Sequence, residues 1–308
     1  LNDAALRDVA KAANRAVVIV GGIAENHPQA AALRAAAGDF AAATGASLCR
    51  IPQGANAVGL ARHGVLPSGR DVAGMFAEPR SAYVIYGIEP GLDFADTPAA
   101  TKALASAKVV AFSHFACTST RDVADVILPI GALPEVEATL TNLDGREQHT
   151  QASGKLPGEA REGWKVLRAL GGELQLAGFE FTDAAGMREA IRSVKPVAIA
   201  RSATPGASGR GLELAVSAAI YRTDGTVRRA EALQAHPLNV GARIVLNPAD
   251  AQAAGVVDGQ VAKVGNGIGT AALPVVVDAR VAAGAAWIES GYGATAPLGA
   301  GRVTVVSA

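Results

Sequence analysis

The sequence predicts an α/β fold: a doubly wound, mostly parallel sheet with helices on both faces, followed by a small β-barrel-like domain. Three observations carry that expectation. Short apolar runs alternate with stretches of helical periodicity through residues 3–176, a segment rich in Ser, Gly, Pro and Ala follows at 195–211, and short strand-like runs broken by glycines fill the remainder. A length of 308 residues suits two domains of about 100–200 residues each. The expected division is an α/β domain over 1–195, a linker over 196–212 and the barrel-like domain over 213–308.

The elements follow in order. Residues 3–15 place Leu6, Val9, Ala10 and Ala13 at helical spacing after a cap at Asn2. AVVIVGG (16–22) reads as a buried strand entering a glycine turn, and Pro28 opens a helix to about Ala43 with Gly45 beyond its end. Residues 49–70 are irregular and rich in Gly, Asn and Pro, a loop long enough to be functional or an interface. The alternation resumes with a strand at 82–87, a helix at 97–107, a strand at 108–113, a polar turn or helix at 118–123 and a strand, ADVILP, stopped by Pro129. Residues 159–176 form an amphipathic helix with Trp164, Leu167, Leu170 and Leu174 on one side. Past the linker come RIVLNP, GQVAKVGN, GTAALPVVVD, AAWIES and RVTVV, short strands with glycine-rich turns.

Composition narrows the function. Half of the residues are apolar and 18% are charged, so the chain has ample core material. Lys plus Arg equals Asp plus Glu at 28 each, a balance that argues against nucleic acid or an anionic membrane as partner. A net charge of zero suits a surface covered by other subunits. Alanine makes up about a fifth of the chain, a mark of genomic bias. No apolar run approaches the 18 residues needed to span a bilayer, and no secretory signal opens the chain. Cys49 and Cys117 stand alone, as reduced thiols of a cytoplasmic protein would. The chain opens at Leu1, directly into helical sequence, as expected of a piece of a longer polypeptide. If the rest of the sheet lies upstream, this chain exposes a sheet edge and self-associates.

The motifs are sparse. Gly21-Gly22 after the first strand lacks GxGxxG and GK[ST], so it is a strand-to-helix turn or an approach to another phosphate-bearing cofactor. His114 and Cys117 end a strand with no second ligand pair nearby, which favours packing or capping. Glu135 and Glu137 share a side if extended, and pin a loop more readily than they share acid–base work. Arg146, beside the Asp144-Gly145 turn, is able to bind carboxylate or phosphate bidentately. No catalytic set and no metal ligand set is evident.

Three segments carry a resemblance. ADVILPIGALPEVEATLTNLDGREQ (124–148), AYVIYGIEP (82–90) and NPADAQAAGVVDGQVAKV (247–264) resemble, in order and separation, motifs of the molybdopterin oxidoreductase superfamily. Glu89 stands at the variable position of that family's G-x-[ND]-P loop. EAREGWKVLRALGGELQLAGFEF (159–181) and YRTDGTVRRAEALQ (221–234) are similar to the large iron–sulfur subunits of bacterial NADH:quinone oxidoreductase, respiratory complex I. There the resemblance runs through Tyr221, Asp224, Arg228-Arg229 and Leu233-Gln234.

The resemblance implies the C-terminal, molybdopterin-oxidoreductase-like region of such a subunit, with iron–sulfur clusters in N-terminal domains that this chain lacks. It implies a structural and assembly role among the other peripheral-arm subunits of complex I. The location would be cytoplasmic, peripheral to the inner membrane, without direct membrane insertion. No catalytic residue, metal ligand or cofactor is expected; Gly21, Gly22, Glu89, Pro90, Thr118 and Arg146 are candidates for a vestigial pterin contact. Ala138 stands where the family favours Gly before Thr139, and the barrel is short, both of which argue against a complete pterin site. The alternative is a fragment of an active molybdopterin-dependent enzyme of formate dehydrogenase type. Its cofactor would contact the loops at Gly21-Gly22, 87–90 and 113–120, with Arg146 on a phosphate or bracing Glu135. A free-standing small-molecule binding module is a third reading.

Overall fold

The computed structural model describes residues 3–67, 69–194, 209–299 and 301–308. The predicted cap at Asn2 and most of the predicted linker lie outside them. In chain order the elements begin with α1 (Ala4–Ala12), β1 (Val17–Val20), α2 (Gly22–Glu25), α3 (Ala30–Thr44) and β2 (Ser47–Arg50). Next come α4 (Ala57–Arg62), α5 (Val72–Ala77), β3 (Ala82–Tyr86), α6 (Thr97–Ala105), β4 (Lys108–Ser113), α7 (Thr118–Arg121) and β5 (Val126–Pro129). A hairpin of β6 (Ala138–Thr141) and β7 (Glu147–Thr150) precedes α8 (Gly163–Glu173) and α9 (Ala184–Ser193). The last part holds β8 (Leu212–Ala218), α10 (Gly225–Arg228), α11 (Glu231–Gln234), β9 (Ile244–Leu246), α12 (Pro248–Ala254), β10 (Val261–Gly265), β11 (Thr270–Val277), β12 (Ala285–Ser290) and β13 (Arg302–Ser307).

The described residues gather into two compact units that interleave along the chain. The first takes residues up to Gln53, those from 209 to Thr223, and His236–Ala308. The second takes residues 54–194 and Asp224–Ala235. The predicted fold class is present, with its parallel strands in two sheets, β1-β2 in the first unit and β3-β4-β5 in the second.

In the second unit the burial of β3 alternates strictly. Tyr83 and Ile85 are buried while Val84 and Tyr86 face outward. The inward pair packs with Ala103 and Leu104 of α6 and with Val109 and Ala111 of β4, and Phe76 and Phe94 close the cluster edge to face at 5.1 Å. α6 starts where it does because Asp96 accepts the Ala99 amide at 2.9 Å and Pro98 suits the first turn. Lys108 and the Val109 amide both reach Asp125, at 2.8 Å each, which ties the start of β4 to the loop before β5.

In the first unit six strands close into a barrel in the order β10-β11-β9-β12-β8-β13. Closure follows from two parallel pairings, β11 with β9 and β12 with β8, set among antiparallel ones. Inward residues of all six strands form one core, in which Leu214, Ile244, Leu246, Val264, Leu273, Val275, Ala286 and Val303 are at most 1% exposed. Helix α12 plugs this core with Ala251; Asn247 caps it by accepting the Ala249 amide at 3.0 Å, and Val256 just beyond its end is buried.

Several predicted elements shift. Asp3 caps α1, accepting the Ala5 amide at 2.9 Å. The 159–176 helix begins only at Gly163, because Pro157 and the loop to Arg161 run as a turn and a bridge to Ile130. The stretch from Cys49 to Arg70 holds the end of β2 and all of α4.

Candidate functional site

In an open α/β sheet ligands bind at the carboxyl ends of the strands. Here that end of the β3-β4-β5 sheet is bordered by the loops after β3 and β4 and by α10, a segment that follows β8 in sequence. The chain turns out of β3 through Gly87, whose φ of +66° is the left-handed conformation that favours glycine. A Cβ there would also lie 3.2 Å from His114 Nε2.

Glu89 follows, 6% exposed. Its Oε2 accepts from Arg228 Nε at 3.0 Å and Nη2 at 2.9 Å, and its Oε1 accepts from Arg229 Nη1 in a short contact. Arg228 Nη2 also donates to Asp93 Oδ1 at 2.9 Å, while Asp93 Oδ2 accepts the Glu89 amide at 2.7 Å. The Arg229 guanidinium lies over the Phe115 ring at 4.1 Å. Two carboxylates and two guanidiniums thus form one network, in which the side chain of Arg228 is 4% exposed. The pairing is possible because α10 starts at Gly225, where a Cβ would come within 3.0 Å of Glu89 Oε1 and 3.2 Å of Phe115. Asp224 caps α10 through the Val227 amide at 2.8 Å.

Beside the network is a cavity of about 200 Å³ whose walls include Glu89, Ser113, His114, Phe115, Leu133, Asp224 and Thr226. In the loop after β4, Cys117 precedes α7 with its Sγ 3.1 Å from Thr120 Oγ1 and 3.3 Å from Ser119 Oγ. Burial pushes this thiol up and the charge of Glu89 adds to that, but the hydrogen bonds from Ser119 and Thr120 outweigh both and leave it below its ordinary value.

The predicted site residues are dispersed. Glu89 and the fully buried Pro90 lie in the loop after β3, and Thr118 is exposed at the first position of α7. Arg146 is exposed on the turn of the β6-β7 hairpin, its backbone amide donating to Asn142 Oδ1 at 2.9 Å. Glu135 accepts the Ala132 amide at 2.8 Å, and Glu137 pairs with Arg188 at 2.9 Å. Gly21 and Gly22 belong to the first unit, between β1 and α2. Sequence reasoning missed Asp93 and Phe115, and placed Arg228-Arg229 in a matching pattern without giving the pair a partner.

The crevice is a poor match for a phosphate-bearing pterin in its charged groups. The guanidiniums beside it pair with Glu89 and Asp93, and Ser113, His114 and Thr226 are the polar side chains on the cavity wall besides the carboxylates. The cavity walls carry two carboxylates, and its volume of about 200 Å³ is below the roughly 300 Å³ at which ligand pockets begin. In the first unit, Arg243 Nε is buried without a hydrogen-bond partner, with its Cζ 5.9 Å from the Trp287 ring. Burial pushes nearby Glu289 up, and the Arg243 charge opposes that rise in part.

Comparison with known proteins accounts for both units. The molybdopterin oxidoreductase family matches residues 4–173, more than half of the chain, and the molydopterin dinucleotide binding domain matches residues 218–306. The chain belongs to the molybdopterin oxidoreductase family. Within the family it is similar to the NADH-ubiquinone oxidoreductase 75 kDa subunit of Reclinomonas americana, 51% identical over 49 residues, which are 16% of this chain and 7% of that protein. The NADH-ubiquinone oxidoreductase 78 kDa subunit of Neurospora crassa is 38% identical over 74 residues, 24% of this chain and 10% of that one. The F420-dependent formate dehydrogenase subunit alpha of Methanocaldococcus jannaschii is 30% identical over 113 residues, 36% of this chain and 17% of that one. The matched stretches therefore span less than a fifth of each of these relatives. Among solved structures, acetylene hydratase from Pelobacter acetylenicus shares the fold at a TM-score of 0.55 and 15% identity, over 80% of this chain and 46% of that one. The matches bear out the resemblance: this is a molybdopterin-oxidoreductase-like region, and short stretches of it are similar to NADH-ubiquinone oxidoreductase 75 and 78 kDa subunits.

Proposed function

We propose that this chain is a non-catalytic structural and assembly region of the large iron–sulfur subunit of an NADH:quinone oxidoreductase. On this reading the parent complex passes electrons from NADH to quinone through clusters held elsewhere in the subunit. The region packs cluster-bearing domains against other peripheral-arm subunits, on the cytoplasmic side and peripheral to the inner membrane. One observation carries the absence of catalysis. The strand-end crevice of the β3-β4-β5 sheet is bordered by the network of Glu89, Asp93, Arg228 and Arg229, in which both guanidiniums are paired with carboxylates rather than turned to a phosphate. The partner chemistry rests on the 75 and 78 kDa relatives. Among the described residues no helix is long and apolar enough to cross a membrane, which fits peripheral association.

A second reading, a live cofactor site, has the formate dehydrogenase relative and one structural observation behind it. The buried, partnerless Nε of Arg243 is a donor of the kind a ligand oxygen would satisfy.

Removing these residues from the intact subunit tests the structural role. The expected result is that the iron–sulfur signals of the truncated subunit persist in electron paramagnetic resonance while its incorporation into the complex falls. Normal incorporation, or loss of the clusters themselves, would contradict the proposal.

A further inference from the structure

The second unit holds a cavity of about 480 Å³ that shares no wall residue with the strand-end crevice. Its walls come from α4 and the residues just after it, the β6-β7 hairpin, the first turn of α8, and α9 with Val194. Local chemistry sets these walls. Asn56 Oδ1 accepts the Thr141 amide at 2.8 Å, which holds the start of α4 against β6. A Cβ at Gly59 would come within 2.9 Å of Thr141 Oγ1, so glycine permits that approach. Arg62 donates to the Gly145 carbonyl at 2.6 Å and ties the end of α4 to the hairpin turn. Asp183 starts α9 by accepting the Gly186 amide at 2.7 Å.

The large apolar side chains of the walls are Leu60, Val65, Trp164, Met187, Ile191 and Val194. Met187 and Ile191 lie four apart on one face of α9, yet α9 buries none of its residues. Leu60, Val65, Ile191 and Val194 are 37–62% exposed. Apolar surface gathered around one concavity is the make-up of a binding site, unlike single apolar residues scattered over a surface. The volume falls within the roughly 300–1,000 Å³ of small-molecule sites. A helix 10–12 Å across fills about 500 Å³ in a single turn, so the cavity suits a small molecule better than a helix laid into it whole. Charge narrows the ligand further. Each wall carboxylate already has a guanidinium, Glu137 with Arg188 at 2.9 Å and Glu147 with Arg192 at 3.8 Å. Thr139 Oγ1 meets His149 Nδ1 at 2.9 Å, and Trp164 Nε1 donates to Glu162 at 2.6 Å. The His63 ring, on the wall just past α4, has no hydrogen-bond partner among the described residues.

We propose that this cavity binds an uncharged, mainly apolar small molecule, with its body among Leu60, Trp164, Met187 and Ile191 and one hydroxyl or carbonyl group on the His63 imidazole. The ligand is uncharged because the acidic and basic wall groups pair with each other and leave no net charge to meet an ion. It carries one polar group because His63 can donate or accept a single hydrogen bond there. The inference holds whether or not the strand-end crevice carries a cofactor.

The probe is N-phenyl-1-naphthylamine, a neutral dye that brightens in apolar surroundings, titrated into this 308-residue chain and into the intact gene product. Saturable binding of one dye per chain is expected in both. Decan-1-ol should displace the dye about tenfold more effectively than decyl sulfate or decyltrimethylammonium. Ala138→Phe fills the cavity and Ile191→Asp sets an unpaired carboxylate on its wall, and each should weaken dye binding by about tenfold or more. Their melting temperatures should stay within about 2 °C of the parent, as sites that are not buried imply. Leu174→Asp, at an exposed apolar position just past α8 and off the cavity wall, should leave dye binding unchanged. His63→Ala should weaken displacement by decan-1-ol by about threefold or more. The proposal is overturned by a lack of saturable binding, by binding that survives both wall variants, or by an equal loss in Leu174→Asp. Equal displacement by the charged decyl compounds would overturn it too, as would an unchanged decan-1-ol effect in His63→Ala. Binding by this chain but not by the intact gene product would mean that polypeptide occupies the cavity, and would likewise contradict it.

Discussion

The barrel and the parallel layers solve the same burial problem in different ways. In the barrel every strand has two neighbours, its inward side chains are nearly inaccessible, and α12 adds Ala251 to the same core. Among the described residues the β3-β4-β5 sheet ends on β3 at one side and on β5, met only by the short Arg161 bridge, at the other, and β1 exposes Val17 and Ile19 besides. The barrel can therefore hold itself together with its own residues. The parallel layers depend on what covers them, and the second unit supplies part of that cover from a distant stretch of chain by recruiting α10 and α11 to its strand ends.

That contrast can be tested by substitution. The two largest effects are expected where cover depends on charge and in the barrel core. Glu89→Ala removes the carboxylate shared by the two guanidiniums, leaving Asp93 alone to pair with the buried Arg228, and should cost about 3 kcal/mol in denaturant unfolding. Replacing both partners, Glu89→Gln with Arg228→Met, should recover part of that loss, because the penalty lies in the uncompensated charge. Next comes the barrel, where Leu273→Ala empties a fully buried site and should cost about 2–5 kcal/mol. The two losses should differ in kind: hydrogen exchange would rise across β8–β13 for Leu273→Ala and around β3, β4 and α10 for Glu89→Ala. Asn247→Ala removes the cap of α12 and should lower barrel stability by about 1 kcal/mol.

The smallest effect is a pH dependence in the α2-β2 region. Burial pushes Glu25 up, but hydrogen bonds and charge from Arg50 and Arg34 outweigh it and hold its carboxyl below the ordinary value. A depressed carboxylate stabilises the folded state above its unfolded pKa, and that contribution fades as pH falls through the folded one. Glu25→Gln should therefore flatten the acid limb of the stability profile below pH ~4.5 and leave the neutral region little changed beyond the loss of the pairs, under about 1 kcal/mol. An acid limb unchanged by the substitution would show that these pairs add nothing.

What was legible in the sequence is what local pattern encodes. β1, β3, β4 and β5 announce themselves as short apolar runs, and the barrel strands as runs between glycines; of the first four only β4 is buried along most of its length, and β1, expected to be buried, exposes Val17 and Ile19. β2, SLCR, and the hairpin strand EQHT have no such run, since one face or both stay exposed. Glu89 was singled out by its loop, yet its partners lie 139 and 140 residues away. No periodicity encodes a pairing over that distance. The departure of α10 and α11 from the barrel stretch to join the second unit was hidden for the same reason.

The central question is whether the strand ends of this family member still accept a cofactor. The direct measurement is the molybdenum, tungsten and released-pterin content of the intact gene product, purified from a host able to make the cofactor. A crevice whose guanidiniums are paired with Glu89 and Asp93 predicts metal and pterin far below one per chain. Stoichiometric metal with pterin would contradict it, and would make the arginines of this region ligands of a working site.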